Sequence, residues 1–169
     1  TWTRKRQIKS DRKLARFRDG MICVSKAVQE NVCSNLRVPA SQAPILYNGI
    51  DIDFFKPDAE AREAVRCELG VPNDRPLILI PARLHAQKLP LETLNAFLAV
   101  RDQIPSQPIL AYAGSGKMEG HLRQAVQENN ASDFVKILRR RNDMKNVYNA
   151  ADLVQLSSLK EGFSNAIIE

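Results

Sequence analysis

PLILIPA at 76–82, PILAYA at 108–113 and FVKIL at 134–138 are short, nearly unbroken apolar runs. A run without polar alternation is what a strand buried on both faces requires. Between them lie LETLNAFLAVRDQI (91–104) and MEGHLRQAVQEN (118–129), of helical length and composition, and DMKNVYNAA (143–151) precedes a fourth run, LVQLS (153–157). Strands alternating with helices predict a parallel sheet covered on both faces, a doubly wound α/β domain. In such sheets ligands bind beyond the carboxyl ends of the strands, so chemistry is sought just after Ala82, Ala113, Leu138 and Ser158.

Upstream the rhythm is looser. AEAREAVRCELG (59–70) is helical by composition and closes on Gly70, with Pro72 just beyond. Asn73 to Arg75 marks the boundary to the α/β domain. Before it, Met21 to Val24 and Ala43 to Tyr47 read as strands, the second stopping at Asn48-Gly49, a turn pair. Ser25 is placed to cap a helix over KAVQENVCSNL, with Val28, Val32 and Leu36 on one stripe.

The chain has 169 residues, 44% hydrophobic and 26% charged, the make-up of a soluble domain with one core rather than of a disordered, collagenous or coiled-coil chain. No apolar run approaches the roughly 20 residues needed to cross a bilayer, and the first residues lack a secretory pattern, which points to the cytosol. Cys23, Cys33 and Cys67 are an odd number at wide spacing with only two histidines beside them, so they read as small apolar residues rather than as zinc ligands or a disulfide framework. The net charge of +6 is confined to Thr1–Gly20, where Arg4, Lys5, Arg6, Lys9, Arg12, Lys13, Arg16 and Arg18 face only Asp11 and Asp19. The remainder is balanced. That disfavours nucleic acid as a partner and leaves any membrane role to this segment, where Trp2, Ile8, Leu14 and Phe17 suit either an amphipathic helix on anionic lipid or a helix packed on another domain.

The strand-to-helix loops carry the candidate site. ARLHAQKLP (82–90) places Arg83 and Lys88 in one loop, two cations that suit a diphosphate or else a solvated surface. AGSGKMEG (113–120) offers Gly114 and Gly116, whose missing side chains let backbone approach a ligand or simply permit a tight turn. Glu119 stands where a dinucleotide fingerprint needs a third glycine. SLKEGFSNAIIE (158–169) puts Glu161 before, and Glu169 on, a helix beginning near Ser164, so both carboxylates are expected to face one cleft beside unpaired helix-start amides. The loop LRRRND (138–143) holds Arg139, Arg140 and Arg141, read chiefly as solvated.

The ordered set NGID-x2-F (48–54), R-x4-K (Arg83, Lys88), G-x-G (Gly114, Gly116), VYNAADLVQLSS (147–158) and E-G-F-x5-E (161–169) resembles glycosyltransferase family 4, retaining sugar-nucleotide transferases of the GT-B fold. The likeness is collinear from about Asp19 onward. It implies a Rossmann-like C-terminal donor domain plus a remnant of an N-terminal domain: 1–58 the tail of the acceptor domain and crossover, 59–74 a linker helix, 75–169 the nucleotide-sugar donor domain, cut short at its C-terminus. A fragment of a longer enzyme, inactive alone, is therefore expected. In the catalytic set implied by the resemblance, Arg83 and Lys88 would hold the donor diphosphate and Glu161 would contact sugar hydroxyls. Donor binding would also use Gly114 and Gly116, the backbone N–H groups of Gly162, Phe163 and Ser164, and Glu169 on the ribose.

The resemblance implies a UDP- or GDP-sugar donor, no cofactor and no metal, since the two cations meet the charge on the leaving diphosphate. A glycan or lipid-linked acceptor and a setting in polysaccharide or lipopolysaccharide biosynthesis follow, with a cytoplasmic location at or near the inner membrane face and peripheral membrane association. Retention would proceed by front-face attack, with no side-chain base. Ala82, Leu89, Arg139 and Ser164 stand where the family commonly has glycine, and the first two are expected to narrow the room for a diphosphate. The alternatives are a non-catalytic nucleotide-sugar or membrane-surface binding module and a GT-B sugar-nucleotide epimerase, which the motif spacing favours less.

Overall fold

The computed structural model describes residues 5–15 and 17–169, with side chains from Ile8 onward. Trp2, Arg4 and Arg16 lie outside the described residues, as do the side chains of Lys5 and Arg6. By its contacts the chain divides into two units, one of residues 1–49 with 161–165 and one of residues 50–160 with 166–169.

In the second unit the four apolar runs form strands β1 (Leu77–Ile80), β2 (Ile109–Tyr112), β3 (Val135–Ile137) and β4 (Leu153–Val154), all parallel, in the order β3-β2-β1-β4. Leu79 pairs with Ala111 on one side and Val154 on the other. Because successive side chains point to opposite faces, β1 and β2 feed two cores. Ile80, Leu110 and Tyr112 pack with helices α4 (Pro90–Arg101) and α5 (Glu119–Glu128), while Leu77, Leu79, Ile109 and Ala111 pack with α3 (Ala59–Leu69) and α6 (Met144–Ala150). Each fully buried aliphatic side chain of this kind contributes about 1.5–3 kcal/mol. The chain leaves β3 through α6 and re-enters the sheet as β4 beside β1, so the helices following β1 and β3 lie on opposite faces. The junction of β1 and β4 is therefore the topological switch point, the place where sheets of this kind bind ligands beyond the carboxyl ends of the strands.

Helix α3, read from the sequence as a linker, is part of this unit's core. Asp58 caps it by accepting from the Ala61 amide at 3.0 Å, and Gly70 closes it at φ 63°. Arg66 is 1% exposed and donates to the carbonyls of Ala150, Pro72 and Arg75 and to Asp152 Oδ2. Asp152 also accepts from Arg62 at 2.6 Å and from the Leu77 amide at 2.7 Å, tying α3 to the start of β1 and the end of α6. The unit thus begins at Ile50, upstream of the boundary expected at Asn73 to Arg75. The physical reason is that the buried guanidinium takes its acceptors from the α/β domain.

The first unit contains α1 (Lys5–Ala15) and α2 (Lys26–Leu36). Ser25 caps α2 as expected, accepting from the Val28 amide at 3.3 Å. The two strands read at Met21–Val24 and Ala43–Tyr47 reduce to one parallel bridge, Cys23 to Ile45. Cys23, Val38 and Ala43 are the buried residues of its core, with Val28, Val32 and Leu36 half-buried against them. Phe17 is 88% exposed. Among the described residues no helix is long and apolar enough to cross a membrane.

Candidate functional site

Arg83 and Lys88 sit in the loop between β1 and α4, at the switch point; Arg83 is exposed and Lys88 half-buried. The path of this loop is set by its own hydrogen bonds and by neighbours on both sides. Within it, the His85 amide donates to the Arg83 carbonyl and the Lys88 amide to the His85 carbonyl, both at 2.8 Å, around the short 3-10 turn Ala86–Lys88.

On the β2 side, the Leu84 amide donates to the Ser115 carbonyl at 3.1 Å and the Met118 amide to the Leu84 carbonyl at 2.9 Å. Gly114 and Gly116 make this approach possible. A Cβ on Gly114 would lie 2.0 Å from the Ala82 carbonyl oxygen, and one on Gly116 would lie 2.3 Å from that of Leu84. The space that the glycines leave is filled by the backbone on either side of Arg83.

On the β4 side, the Leu159 amide donates to the Gln87 carbonyl at 2.9 Å, and Gln87 Nε2 donates to the Lys160 carbonyl at 2.8 Å. Buried Thr93 donates to the Leu89 carbonyl, and the Ser157 hydroxyl meets that of Thr93 while standing 3.5 Å from the Lys88 carbonyl. Gln87, Thr93 and Ser157 were not singled out from the sequence, because nothing in residue type or spacing marks a hydrogen bond between loops about seventy residues apart.

Two of the positions where the family commonly has glycine share a glycine-like backbone. Leu89 has φ 50° and Arg139 φ 54°, both in the left-handed region, so the backbone keeps a glycine's conformation without a glycine. Arg139 donates to Glu119 at 3.0 Å, and Arg141 is held by Asp143 and Glu68, whereas Arg140 is exposed. The Arg123 and Arg139 guanidiniums hold the Glu119 carboxyl below the usual range, and Arg141 does the same for Glu68 and Asp143. Two of the three loop arginines are therefore occupied by carboxylates.

The helix expected near Ser164 is the four-residue α7 (Asn165–Ile168), and Glu169 lies just past it rather than on it. One turn is too short for the dipole invoked from the sequence. Glu169 accepts from the Tyr148 hydroxyl at 2.9 Å and, with Phe55, Lys56, Lys145 and Asn149, lines a cleft of about 220 Å³ in the second unit. Burial, then the neighbouring Glu169, pushes the Tyr148 hydroxyl up.

Glu161 through Ser164 belong by their contacts to the first unit. There exposed Glu161 lines a largely apolar groove with Ile8, Asp11, Val28 and Asn31. Half-buried Gly162 runs against the Val28 side chain, Phe163 stacks at a tilt on Tyr47 at 5.7 Å, and Ser164 is half-buried. Asn48 of the NGID stretch donates to Asn165 at 2.7 Å, so two of the sequence motifs meet within the first unit. Among the described residues no group of three or more His, Cys, Asp or Glu is placed to hold a metal ion.

The chain has relatives among known proteins. The family model described as glycosyl transferases group 1 matches residues 61–169, most of the chain. The chain belongs to this family. Among its glycosyltransferase relatives, an uncharacterized glycosyltransferase of Methanocaldococcus jannaschii is 29% identical over 153 residues, covering 88% of this chain and 39% of that protein. The UDP-Gal:alpha-D-GlcNAc-diphosphoundecaprenol alpha-1,3-galactosyltransferase of Escherichia coli is 27% identical over 152 residues, with the same coverage of 88% and 39%. The crystal structure of Anabaena HepE in complex with UDP-glucose superposes with a TM-score of 0.84 at 24% identity, covering 98% of this chain and 46% of that one. The fold is that of the GT-B glycosyltransferases, and the chain spans about two-fifths of the length of the curated relatives it matches.

Proposed function

We propose that residues 75–169 bind the nucleotide-sugar donor of a retaining glycosyltransferase, and that residues 1–58 are the tail of the acceptor domain and the crossover. The observation that carries this reading is the loop of Arg83 and Lys88. Two cations stand in the loop beyond β1, at the β1/β4 switch point, on a backbone braced from both neighbouring loops, and a braced cationic loop suits a polyphosphate because little ordering is left to do on binding. HepE, the structural counterpart, binds UDP-glucose.

In this reading Arg83 and Lys88 grip the diphosphate and stabilise its charge as the glycosidic bond breaks, without a metal. Glu161 contacts sugar hydroxyls; Gly162, Phe163 and Ser164 offer backbone N–H groups; Glu169 accepts from the ribose. Gly114 and Gly116 serve by admitting the backbone that carries Arg83. The acceptor oxygen bonds to the anomeric carbon on the face the diphosphate leaves, and its proton passes to the departing phosphate oxygen. The acceptor is a glycan or a lipid-linked sugar, met in the cytoplasm at the membrane surface, where the basic α1 assists.

Calorimetric titration with UDP, GDP and their sugar conjugates tests the reading. The folded parent chain is expected to bind a nucleoside diphosphate, and Arg83→Ala and Glu169→Gln to weaken it about tenfold or more. A folded chain indifferent to every one of these ligands would end it.

A further inference from the structure

We infer that Gln87 is a positioning residue for the diphosphate grip, acting through the backbone of Lys88; the inference rests on the donor-binding reading above. Three polar groups of Gln87 are committed. Its amide donates to His85 Nδ1 at 3.3 Å, its carbonyl accepts from the Leu159 amide at 2.9 Å, and its side-chain nitrogen donates to the Lys160 carbonyl at 2.8 Å. The last two bonds cross the β1/β4 switch point and join the loop of Arg83 and Lys88 to the loop after β4.

Ser157 adds a second stitch one residue further on, between the Thr93 hydroxyl and the Lys88 carbonyl. The opposite side of the cation loop is held by Leu84 against Ser115 and Met118. Lys88 therefore departs from a backbone held on both flanks, and on the β4 flank side chains make the link.

Gln87 lies outside both buried clusters of the second unit. Its loss should therefore loosen the loop without opening the core, which separates positioning from stability. A loosened loop costs affinity where the ligand engages both cations and little where it does not. A diphosphate is the ligand that spans them; a monophosphate of the same nucleoside is the internal control.

The test is calorimetry on the 169-residue chain with UDP and GDP, and with UMP and GMP, for the parent, Gln87→Ala and Gln87→Met. Methionine keeps the length of glutamine and removes the donor. Both variants are expected to lose about tenfold in affinity for the diphosphate that the parent binds, under about twofold for the corresponding monophosphate, and no more than about 2 °C in thermal midpoint. Ser157→Ala should shift affinity the same way by a smaller factor, and it carries the test if a Gln87 variant fails to fold. Variants that bind UDP and GDP like the parent overturn the inference and leave the donor reading standing. Equal losses for diphosphate and monophosphate overturn it as well, since they report general loosening. A folded parent that binds neither UDP nor GDP removes the donor reading and this inference together.

Discussion

Cys23 and Leu79 are both buried and both lie on parallel backbone pairings, yet their surroundings differ in kind. Cys23 meets Ile45 across a single bridge in a unit whose helix α2 has no fully buried residue. Leu79 is paired on both sides, in a four-stranded sheet with a buried cluster on each face. Strand-forming residues become a sheet when neighbours supply both edges and a cover for each face; two isolated segments do not reach that threshold. The contrast says that stability resides in the second unit, and it can be attacked from either side.

The largest effect is expected at Arg66, whose removal strands three carbonyls and Asp152. Arg66→Ala should cost about 3–5 kcal/mol in urea unfolding followed by circular dichroism. A loss under about 1 kcal/mol would show that the second unit does not depend on its buried network. The same network predicts an acid limb. Burial pushes the Asp152 carboxyl up, but the Leu77 amide and the Arg62 and Arg66 guanidiniums together outweigh it and hold it below the usual range. A carboxyl lowered in the folded state stabilises above its unfolded pKa of about 4 and loses that contribution as pH falls through the folded value. Stability should therefore decline below about pH 4, and Asp152→Asn should be less stable at neutral pH with a flatter acid limb.

Gly114→Ala comes next. The new Cβ meets backbone rather than a flexible side chain, so the loop must move, at about 1–3 kcal/mol; a variant as stable as the parent would mean that the two loops part easily. In the first unit, Ser25→Ala should cost about 1 kcal/mol of α2 stability, read as faster amide exchange at 26–36 with β1 unaffected. Exchange that accelerates equally in β1 would break the comparison by showing one cooperative whole. Smallest is Arg139→Gly. Relief of about 1–2 kcal/mol of left-handed strain is offset by lost glycine entropy and an exposed ion pair, so stability should stay within about 1 kcal/mol of the parent. A larger loss would give the Arg139–Glu119 bond a structural weight that exposed pairs rarely have.

The alternation of runs at 76–82, 108–113 and 134–138 was legible because each run is apolar enough to be buried without help from context. The ends of α2 and α3 were legible too, since Ser25, Gly70 and the residues between them act locally. Met21–Val24 and Ala43–Tyr47 misled because a strand is a pairing, and pairing is not a local property. Arg62 and Arg66 stand four apart on α3, a spacing that places them on one face, but their carboxylate at Asp152 is remote in sequence and so could not be assigned. At the site, the cation loop was found from residue type and its place after a strand. Its bracing by Gln87 and Ser157 was invisible for the same reason as Asp152. Leu89 and Arg139 read as glycines lost, with crowding assigned at Leu89 alone; the structure puts a cost at both in backbone strain.

The return of the chain from β3 to the far side of β1 carries one more consequence. An opening made by the route of the main chain survives the replacement of any lining residue, so its location is inherited even as the loops around it diverge. Relatives that share the route can therefore drift in what they hold while keeping where they hold it, and specificity in such a scaffold is to be sought in the rim.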